Sequence, residues 1–225
     1  HTYGTFTKAI EAGKFAPAYY FVGAENVLKD EATAAILDRA LDPSLRDFNL
    51  DIRSAQQLEP EDVLSLCTTL PMMAERRVVV VKDVEAWKRK TRGKKAVLQY
   101  LEKPIPETVL VLVQGPGSEA KDDKPDVDLA KHTYTVAFAE LTVEEATRWV
   151  DREAKAMGIA FAPGAEQHLL KTVGTDLGAL RSELQKLYGL ASEGPVTLQR
   201  LGDLVGVRYG ETPHDWRFVN ETAAT

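Results

Sequence analysis

The sequence contains 225 residues, a length that corresponds to one large domain or two smaller ones. Hydrophobic residues make up 44% and charged residues 28%, an ordinary globular balance, and no apolar run reaches the roughly 18 to 20 residues of a membrane span. The formal net charge of -6 argues against a protein held on nucleic acid by a globally positive surface.

The cysteine and histidine content excludes several kinds of site. Cys67 is the single cysteine, so the sequence allows no internal disulfide and no multi-cysteine zinc site, and it favours the reducing cytoplasm. We expect Cys67 to be buried, because it lies in the apolar stretch DVLSLCTTL. The four histidines show no metal-ligand spacing, and the sequence therefore predicts no metal site.

Up to about residue 140, short apolar runs alternate with helical patterns, which predicts an α/β domain with a largely parallel sheet. The β-branched run from Val78 to Val81 is typical of a central strand covered on both faces. Helices are predicted at about 26 to 41, 60 to 69 and 94 to 102. The predicted strands are Tyr19 to Val22, Phe48 to Ile52, Arg77 to Lys82, Val109 to Val113 and Thr133 to Phe138.

From Leu141 the pattern changes to helices alone, which predicts a second, helical domain. Thr142 and Glu145 form a T-x-x-E capping box at the start of its first helix. Asp176 is the expected N-cap of a later helix with leucines at three-four spacing. Another amphipathic pattern begins near Pro213 and is not completed, so we expect a truncated third region over residues 211 to 225.

An α/β domain followed by a small helical domain is the layout of many nucleotide-driven motors, whose first strand-to-helix turn reads G-x-x-x-x-G-K-[ST]. Gly23 and Lys29 stand at this spacing, but Leu28 replaces the second glycine and Asp30 replaces the hydroxyl residue. Leu28 obstructs the backbone, and Asp30 and Glu25 add negative charge where a triphosphate would sit. The sequence predicts that this degenerate phosphate loop does not bind or hydrolyse ATP.

Two features keep an active ATPase open as an alternative. Asp83 and Glu85 follow the β-branched strand, where motor proteins normally carry a magnesium-binding carboxylate. Arg181 stands in a G-x-x-R string that resembles a γ-phosphate sensor. A surface arginine that pairs with Glu183 or Asp176 is the simpler interpretation of that residue.

Five strings, in their order along nearly the whole chain, resemble the delta subunit of the bacterial DNA polymerase III clamp loader. The strings are FTKAIEAGKFAPAYYFVGAENVLKDEA (6 to 32), SLRDFNLDI (44 to 52), TLPMMAERRVVVVKD (69 to 83), LEKPIPETVLVLV (101 to 113) and VGTDLGALRSELQKL (173 to 187). The resemblance implies an AAA+-like (RecA-like) parallel-sheet domain over residues 1 to 140, a small all-helical lid over 141 to 210, and the start of a helical collar over 211 to 225. It also implies a subunit without catalytic residues or a cofactor of its own.

The resemblance further implies that the protein binds the ring-shaped sliding clamp, the beta subunit, and opens the ring for loading on primed DNA. The clamp-binding element resembles TLPMMAERR at a helix end, with Met72 and Met73 as an exposed apolar pair that Leu70 and Pro71 help to present. The alternative is that both methionines pack against the sheet edge. Other implied partners are the remaining loader subunits, through the collar, and primed DNA within the assembled loader.

Residues 82 to 95 contain seven basic and two acidic side chains in an otherwise acidic chain. This segment could contact DNA phosphates or an acidic partner, and it makes a DNA-binding protein the third hypothesis. A solvated loop that opens a helix is the alternative interpretation. The candidate contact residues are Lys88, Arg89, Lys90, Arg92, Lys94 and Lys95.

Overall fold

The computed structural model describes residues 1–89, 91–115, 124–189 and 194–202. The chain forms two compact units, His1–Ala139 and Glu140–Thr225. The first unit contains helices α1 Tyr3–Glu11, α2 Asn26–Ala40, α3 Arg46–Asn49, α4 Pro60–Thr68, α5 Thr91–Glu102 and α6 Val127–His132, and strands β1 Ala18–Val22, β2 Leu50–Ser54, β3 Arg77–Lys82, β4 Thr108–Val113 and β5 Tyr134–Ala137.

The strands of the first unit form one parallel sheet in the order β2-β3-β4-β1-β5. Every residue of β1 and β4 is buried, and so are Val78 to Val81 of β3. A strand that is covered on both faces needs apolar residues at successive positions, which is why these segments do not alternate. The predicted α/β fold with a parallel sheet is confirmed.

The two faces of the sheet are covered by different helices. Tyr20 of β1 packs on the face that α4, α5 and α6 cover. Its neighbours Tyr19 and Phe21 point to the other face, where both rings contact Phe6 of α1. The sheet therefore lies between two helical layers.

Two parts of the first unit differ from the sequence-based prediction. The sequence predicts a strand from Phe48 to Ile52, but Phe48 and Asn49 end helix α3 and β2 begins only at Leu50. The alternation of apolar and polar residues in FNLDI favours a strand, while hydrogen bonds of the Asn49 amide hold the first part in another conformation. Helices α1 and α6 are additional to those that the sequence pattern predicts.

The second unit contains helices α7 Val143–Ala156, α8 Ala165–Val173, α9 Leu177–Tyr188 and α10 Leu198–Leu201. Thr142 and Glu145 form the predicted capping box, and Asp176 is the N-cap of α9, where its carboxylate accepts from the Ala179 amide at 2.7 Å. The buried leucines of α9 lie at the predicted spacing. The predicted collar segment, residues 211 to 225, lies outside the described residues.

The helices in the parts of the chain that the structure describes do not meet the requirements of a membrane span. None of them combines the length and the apolar character that crossing a bilayer requires.

Candidate functional site

The predicted clamp-binding residues form an exposed apolar tip, which we define as Leu70, Pro71, Met72 and Met73. Helix α4 ends at Thr68. Pro71 follows three residues later and disfavours a helical conformation at Leu70, the residue before it. The exposed fractions are 70% for Leu70, 55% for Met72 and 86% for Met73, whereas Pro71 is half-buried. The methionines therefore lie on the irregular segment after the helix, not at the helix end that the resemblance implied.

The backbone of the tip is held by a buried side chain from a distant part of the sequence. The Asn49 amide nitrogen donates to the Met72 carbonyl oxygen at 2.9 Å, and the Asn49 amide oxygen accepts from the Met72 N–H at 2.7 Å. Asn49 is fully buried. The two hydrogen bonds fix the Met72 peptide groups while its side chain remains exposed.

A second link joins the same two segments below the tip. The guanidinium of Arg77, at the start of β3, donates to the Phe48 carbonyl oxygen at 3.0 Å and forms an ion pair with Asp51. Arg77 is 9% exposed, so this charge-assisted pair is shielded from water. The segment that carries the tip is thus joined to α3 and β2 at two points.

Sequence reasoning missed both Asn49 and Phe48. Phe48 is 57% exposed and precedes Asn49, which brings a further large apolar side chain to the segment that holds the tip. An asparagine between apolar residues carries no spacing signal for a contact 23 positions away in the chain. The string SLRDFNLDI marked the segment without indicating what it does.

The degenerate phosphate loop lies at the other end of the sheet's strands from the tip. It follows β1, whereas the tip precedes β3, and in a parallel sheet these two strand ends face opposite ways. Strands β1 and β3 are five and six residues long. The two sites are therefore separated by roughly 20 Å along the strand direction.

Gly23 closes this loop against the end of β5. Its φ is +108°, and an added Cβ would lie 2.3 Å from the Phe138 carbonyl oxygen. The backbone there is also joined by hydrogen bonds from Phe138 N–H to Val22 and from Glu25 N–H to Phe138, at 2.8 and 3.1 Å. Gly23 is therefore required by a close backbone approach, independently of any phosphate.

Lys29, the residue that would contact phosphates, is turned into the protein. It is 1% exposed, and its Nζ donates to the carbonyl oxygens of Gly23 at 2.8 Å and Gln114 at 2.5 Å. The Glu25 carboxylate caps α2 by accepting from the Val27 N–H at 3.3 Å. A helix N-terminus of this kind is where an anion would bind, and the chain supplies its own carboxylate there.

The other predicted nucleotide residues are also engaged by neighbours. Asp30 pairs with Lys82 at 2.9 Å on the surface, and Leu28 is buried in α2. Asp83 accepts from the Ser54 hydroxyl at 2.7 Å, and Glu85 accepts from the Gly115 N–H at 2.8 Å.

A cavity of about 170 Å³ remains beside this loop, below the roughly 300 to 1,000 Å³ of small-ligand pockets. It is lined by Asn26, Lys29, Asp30, Lys82, Asp83, Val113, Gln114 and Gly115. Over the described ranges, no group of three His, Cys, Asp or Glu side chains could hold a metal ion.

Arg181 belongs to the second unit and is held by its own helical neighbours. Its guanidinium lies 5.3 Å from the ring centre of Trp149 and 3.9 Å from a Glu153 carboxylate oxygen. Of the two partners that the sequence suggested, Glu183 pairs with Lys186 and Asp176 caps α9. The ion pair forms across helices α7 and α9, a proximity that the sequence spacing does not reveal.

The basic segment is described only in part. Lys94 forms ion pairs with Asp126 at 2.6 Å and Asp128 at 2.8 Å. Burial alone would lower the pKa of Lys94, but the hydrogen bonds to these two carboxylates raise it. Lys95 is exposed. The side chains of Lys88, Arg89 and Arg92, and all of Lys90, lie outside the described residues.

Cys67 is buried as predicted. Burial raises the pKa of its thiol to about 12, so the thiolate that a nucleophile requires is scarce near neutral pH.

The sequence matches the model of one known protein family. The model of the family "DNA polymerase III, delta subunit" matches residues 19–139, more than half of the chain. The chain belongs to this delta subunit family. The match includes both the degenerate phosphate loop and the tip, and it confirms the resemblance that the sequence strings indicated.

Two relatives from Bacillus subtilis agree with the family assignment. DNA polymerase III subunit delta of strain 168 is 28% identical to this delta family member over 186 residues, which cover 80% of this chain and 54% of the relative. The solved DNA clamp loader delta protein is 26% identical with a TM-score of 0.60, over 90% of this chain and 62% of that one. This chain therefore spans about half to three fifths of these relatives.

More distant structures share the fold alone. The RuvB Holliday junction branch migration motor of Thermotoga maritima is 13% identical with a TM-score of 0.58, over 96% of this chain and 71% of that one. Domain III of the replication initiation protein DnaA, also from Thermotoga maritima, is 10% identical with a TM-score of 0.56, over 92% of this chain and 91% of that domain. The AAA+-like fold class of this delta family member is thereby confirmed.

Proposed function

We propose that this chain is a non-catalytic clamp-loader subunit that binds a sliding clamp through the tip and opens the ring for loading on primed DNA. The observation that carries the proposal is the exposure of Met72 and Met73 on a segment whose backbone is held by hydrogen bonds from the buried Asn49 side chain. Family membership supports the same role.

The tip has the physical properties of a binding hot spot. Burial of each methionine in a partner pocket contributes roughly 1.5 to 3 kcal/mol, and the flexible thioether adapts to an irregular pocket. Leu70 adds a third exposed apolar side chain. A tip that binds the open form of the clamp more tightly than the closed form shifts the ring towards opening, because a ligand moves a conformational equilibrium only by its differential affinity.

The phosphate loop supports a role without ATP hydrolysis by this chain. Lys29 donates to two backbone carbonyls, and the Glu25 carboxylate occupies the N-terminus of α2. A nucleotide would have to displace both groups and then bind beside a carboxylate. We assign ATP hydrolysis to other subunits of the loader, which this chain would join through a helical collar.

The proposal is tested by clamp binding of a Met72→Ser/Met73→Ser variant. Loss of two methionines that the clamp would bury is expected to weaken the affinity by about 100-fold or more, since every 1.4 kcal/mol is a factor of about ten. The measurement is calorimetry of the 225-residue chain with the purified sliding clamp of the same species. A dye pair across one interface of the ring would report opening.

A matched control is the Val127→Ser/Val143→Ser variant, which also removes two exposed apolar side chains, from α6 and α7. We expect its affinity to stay within about twofold of the wild type, because surface substitutions outside an interface have small effects. Unchanged clamp binding by the methionine variant would show that the tip is not the clamp-binding element.

A further inference from the structure

The side-chain amide of Asn49 binds the tip in the way that a neighbouring β-strand would. It donates to the carbonyl oxygen and accepts from the N–H of the same residue, Met72, at 2.9 and 2.7 Å. The amide nitrogen also donates to the Leu45 carbonyl oxygen at 3.0 Å. Both functional atoms of this fully buried amide are thus used, and two of the three hydrogen bonds reach the tip.

The tip needs such support because it lies outside any helix or strand. Residues 69 to 76 follow α4 and precede β3 without a repeating hydrogen-bond pattern. Met73 has a φ of 55°, a left-handed conformation that is costly for a residue with a side chain. Neighbouring structure must impose this conformation, and the hydrogen bonds from Asn49 end at the residue before it.

We infer that Asn49 is a positioning residue for clamp binding, which holds the Met72 backbone so that both methionines are presented in the binding conformation before the clamp arrives. The inference rests on the proposed function. Its physical basis is preorganisation: a segment that is already ordered loses less conformational entropy when it binds. Asn49 itself is buried and makes no contact with the clamp.

A purely structural role for Asn49 predicts different behaviour. In that case its replacement lowers the stability of the whole first unit and weakens clamp binding only as far as the chain unfolds. A positioning role predicts a local loss of order at the tip and weaker binding at temperatures where the variant is fully folded.

The first measurement needs no variant. The Met72 N–H is expected to exchange slowly with solvent although its side chain is 55% exposed, because that N–H donates to the buried Asn49 oxygen. Hydrogen exchange of the wild-type chain reports this amide directly. Exchange at the rate of an unprotected amide overturns the inference.

The second measurement compares Asn49→Ala with Ile36→Val, a change at a fully buried residue of α2 that lowers stability without touching the tip. At a temperature well below both unfolding midpoints, Asn49→Ala is expected to weaken clamp binding about threefold to tenfold. It should also lose protection at the Met72 amide. Ile36→Val should leave both unchanged.

The Asn49→Asp variant provides a rescue by pH. Its ionised carboxylate would face the Leu45 and Met72 carbonyl oxygens, whereas the protonated acid again offers one donor and one acceptor. Burial favours the protonated form as the pH falls. The affinity relative to wild type at the same pH is therefore expected to recover as the pH falls.

The outcomes separate this inference from the proposed function. Normal clamp binding by Asn49→Ala, together with weak binding by Met72→Ser/Met73→Ser, overturns the positioning role and leaves the proposed function intact. Equal weakening by Asn49→Ala and Ile36→Val also overturns it. Normal binding by the methionine variant overturns the proposed function, and this inference falls with it.

Discussion

The tip and the phosphate loop lie at opposite ends of the strands of one sheet. They differ in which side chains they expose and which they bury. At the tip, Met72 and Met73 are exposed while the polar Asn49 that holds them is buried. In the loop, the charged Lys29 is buried and bonded to backbone oxygens, and Gly23 packs against Phe138. The comparison teaches that exposure, more than residue type, distinguishes the proposed binding surface from the closed loop.

The largest expected effect on this comparison is Gly23→Ala in the loop. The new Cβ would meet the Phe138 carbonyl oxygen at 2.3 Å, in a backbone conformation with a φ of +108°. We expect the free energy of unfolding to fall by about 3 kcal/mol or more, since strain and a backbone clash add. Urea denaturation measures the change.

Gly4→Ala is the matched control, because a Cβ at this position in α1 meets nothing within 4 Å. It should stabilise the chain by about 0.5 to 1 kcal/mol through helix propensity. Equal stability of Gly23→Ala and the wild type would mean that the loop is not closed against β5 as described.

Lys29→Met is expected to have the next largest effect. It removes the hydrogen bonds to the Gly23 and Gln114 carbonyl oxygens, and unsatisfied buried carbonyls cost about 1 to 3 kcal/mol. The thermal unfolding midpoint should fall accordingly. Lys82→Met, which breaks only the surface pair with Asp30, should cost less than about 1 kcal/mol. The reverse order of the two variants would contradict the structural role of Lys29.

A smaller effect is expected for the stability of Met72→Ser/Met73→Ser. Both side chains are mostly exposed, so the free energy of unfolding should change by less than about 0.5 kcal/mol. Leu110→Ala, at a fully buried position of β4, should cost about 2 to 5 kcal/mol in the same denaturation experiment. A large loss for the methionine variant would show that the pair packs into the protein in solution.

The smallest expected effect is that of restoring the phosphate-loop pattern with Leu28→Gly/Asp30→Ser. The Glu25 carboxylate still caps α2 and Lys29 still points to backbone carbonyls, so no ATP binding is expected. Calorimetry with millimolar Mg-ATP tests this, after circular dichroism has shown that the variant folds. ATP binding by this variant would mean that Leu28 and Asp30 alone prevent the native loop from binding ATP.

Much of the fold could be predicted from local patterns. The β-branched run of β3, the capping box of α7 and the N-cap of α9 each depend on neighbouring residues, and all three are found where the sequence indicates. The prediction of a strand at Phe48 is wrong, because the conformation there depends on the hydrogen bonds of Asn49 to Leu45 and to a residue far along the chain.

The candidate site divides in the same way. Residue types alone indicated that Leu28 and Asp30 disrupt a phosphate loop, whereas the exposure of Met72 and Met73 was implied only by the family resemblance. The partners of Arg181 could not be predicted, because Glu153 and Trp149 approach it from another helix.

The sequence by itself determined the family, the α/β order of elements and the loss of the phosphate-binding pattern, because these depend on residue identity and short-range spacing. Only the tertiary structure decided that both methionines are exposed, that Lys29 is buried against backbone carbonyls, and that Asn49 holds the tip. These features depend on which groups the fold brings together over 23 to 85 positions of sequence, and local patterns carry no information about such contacts.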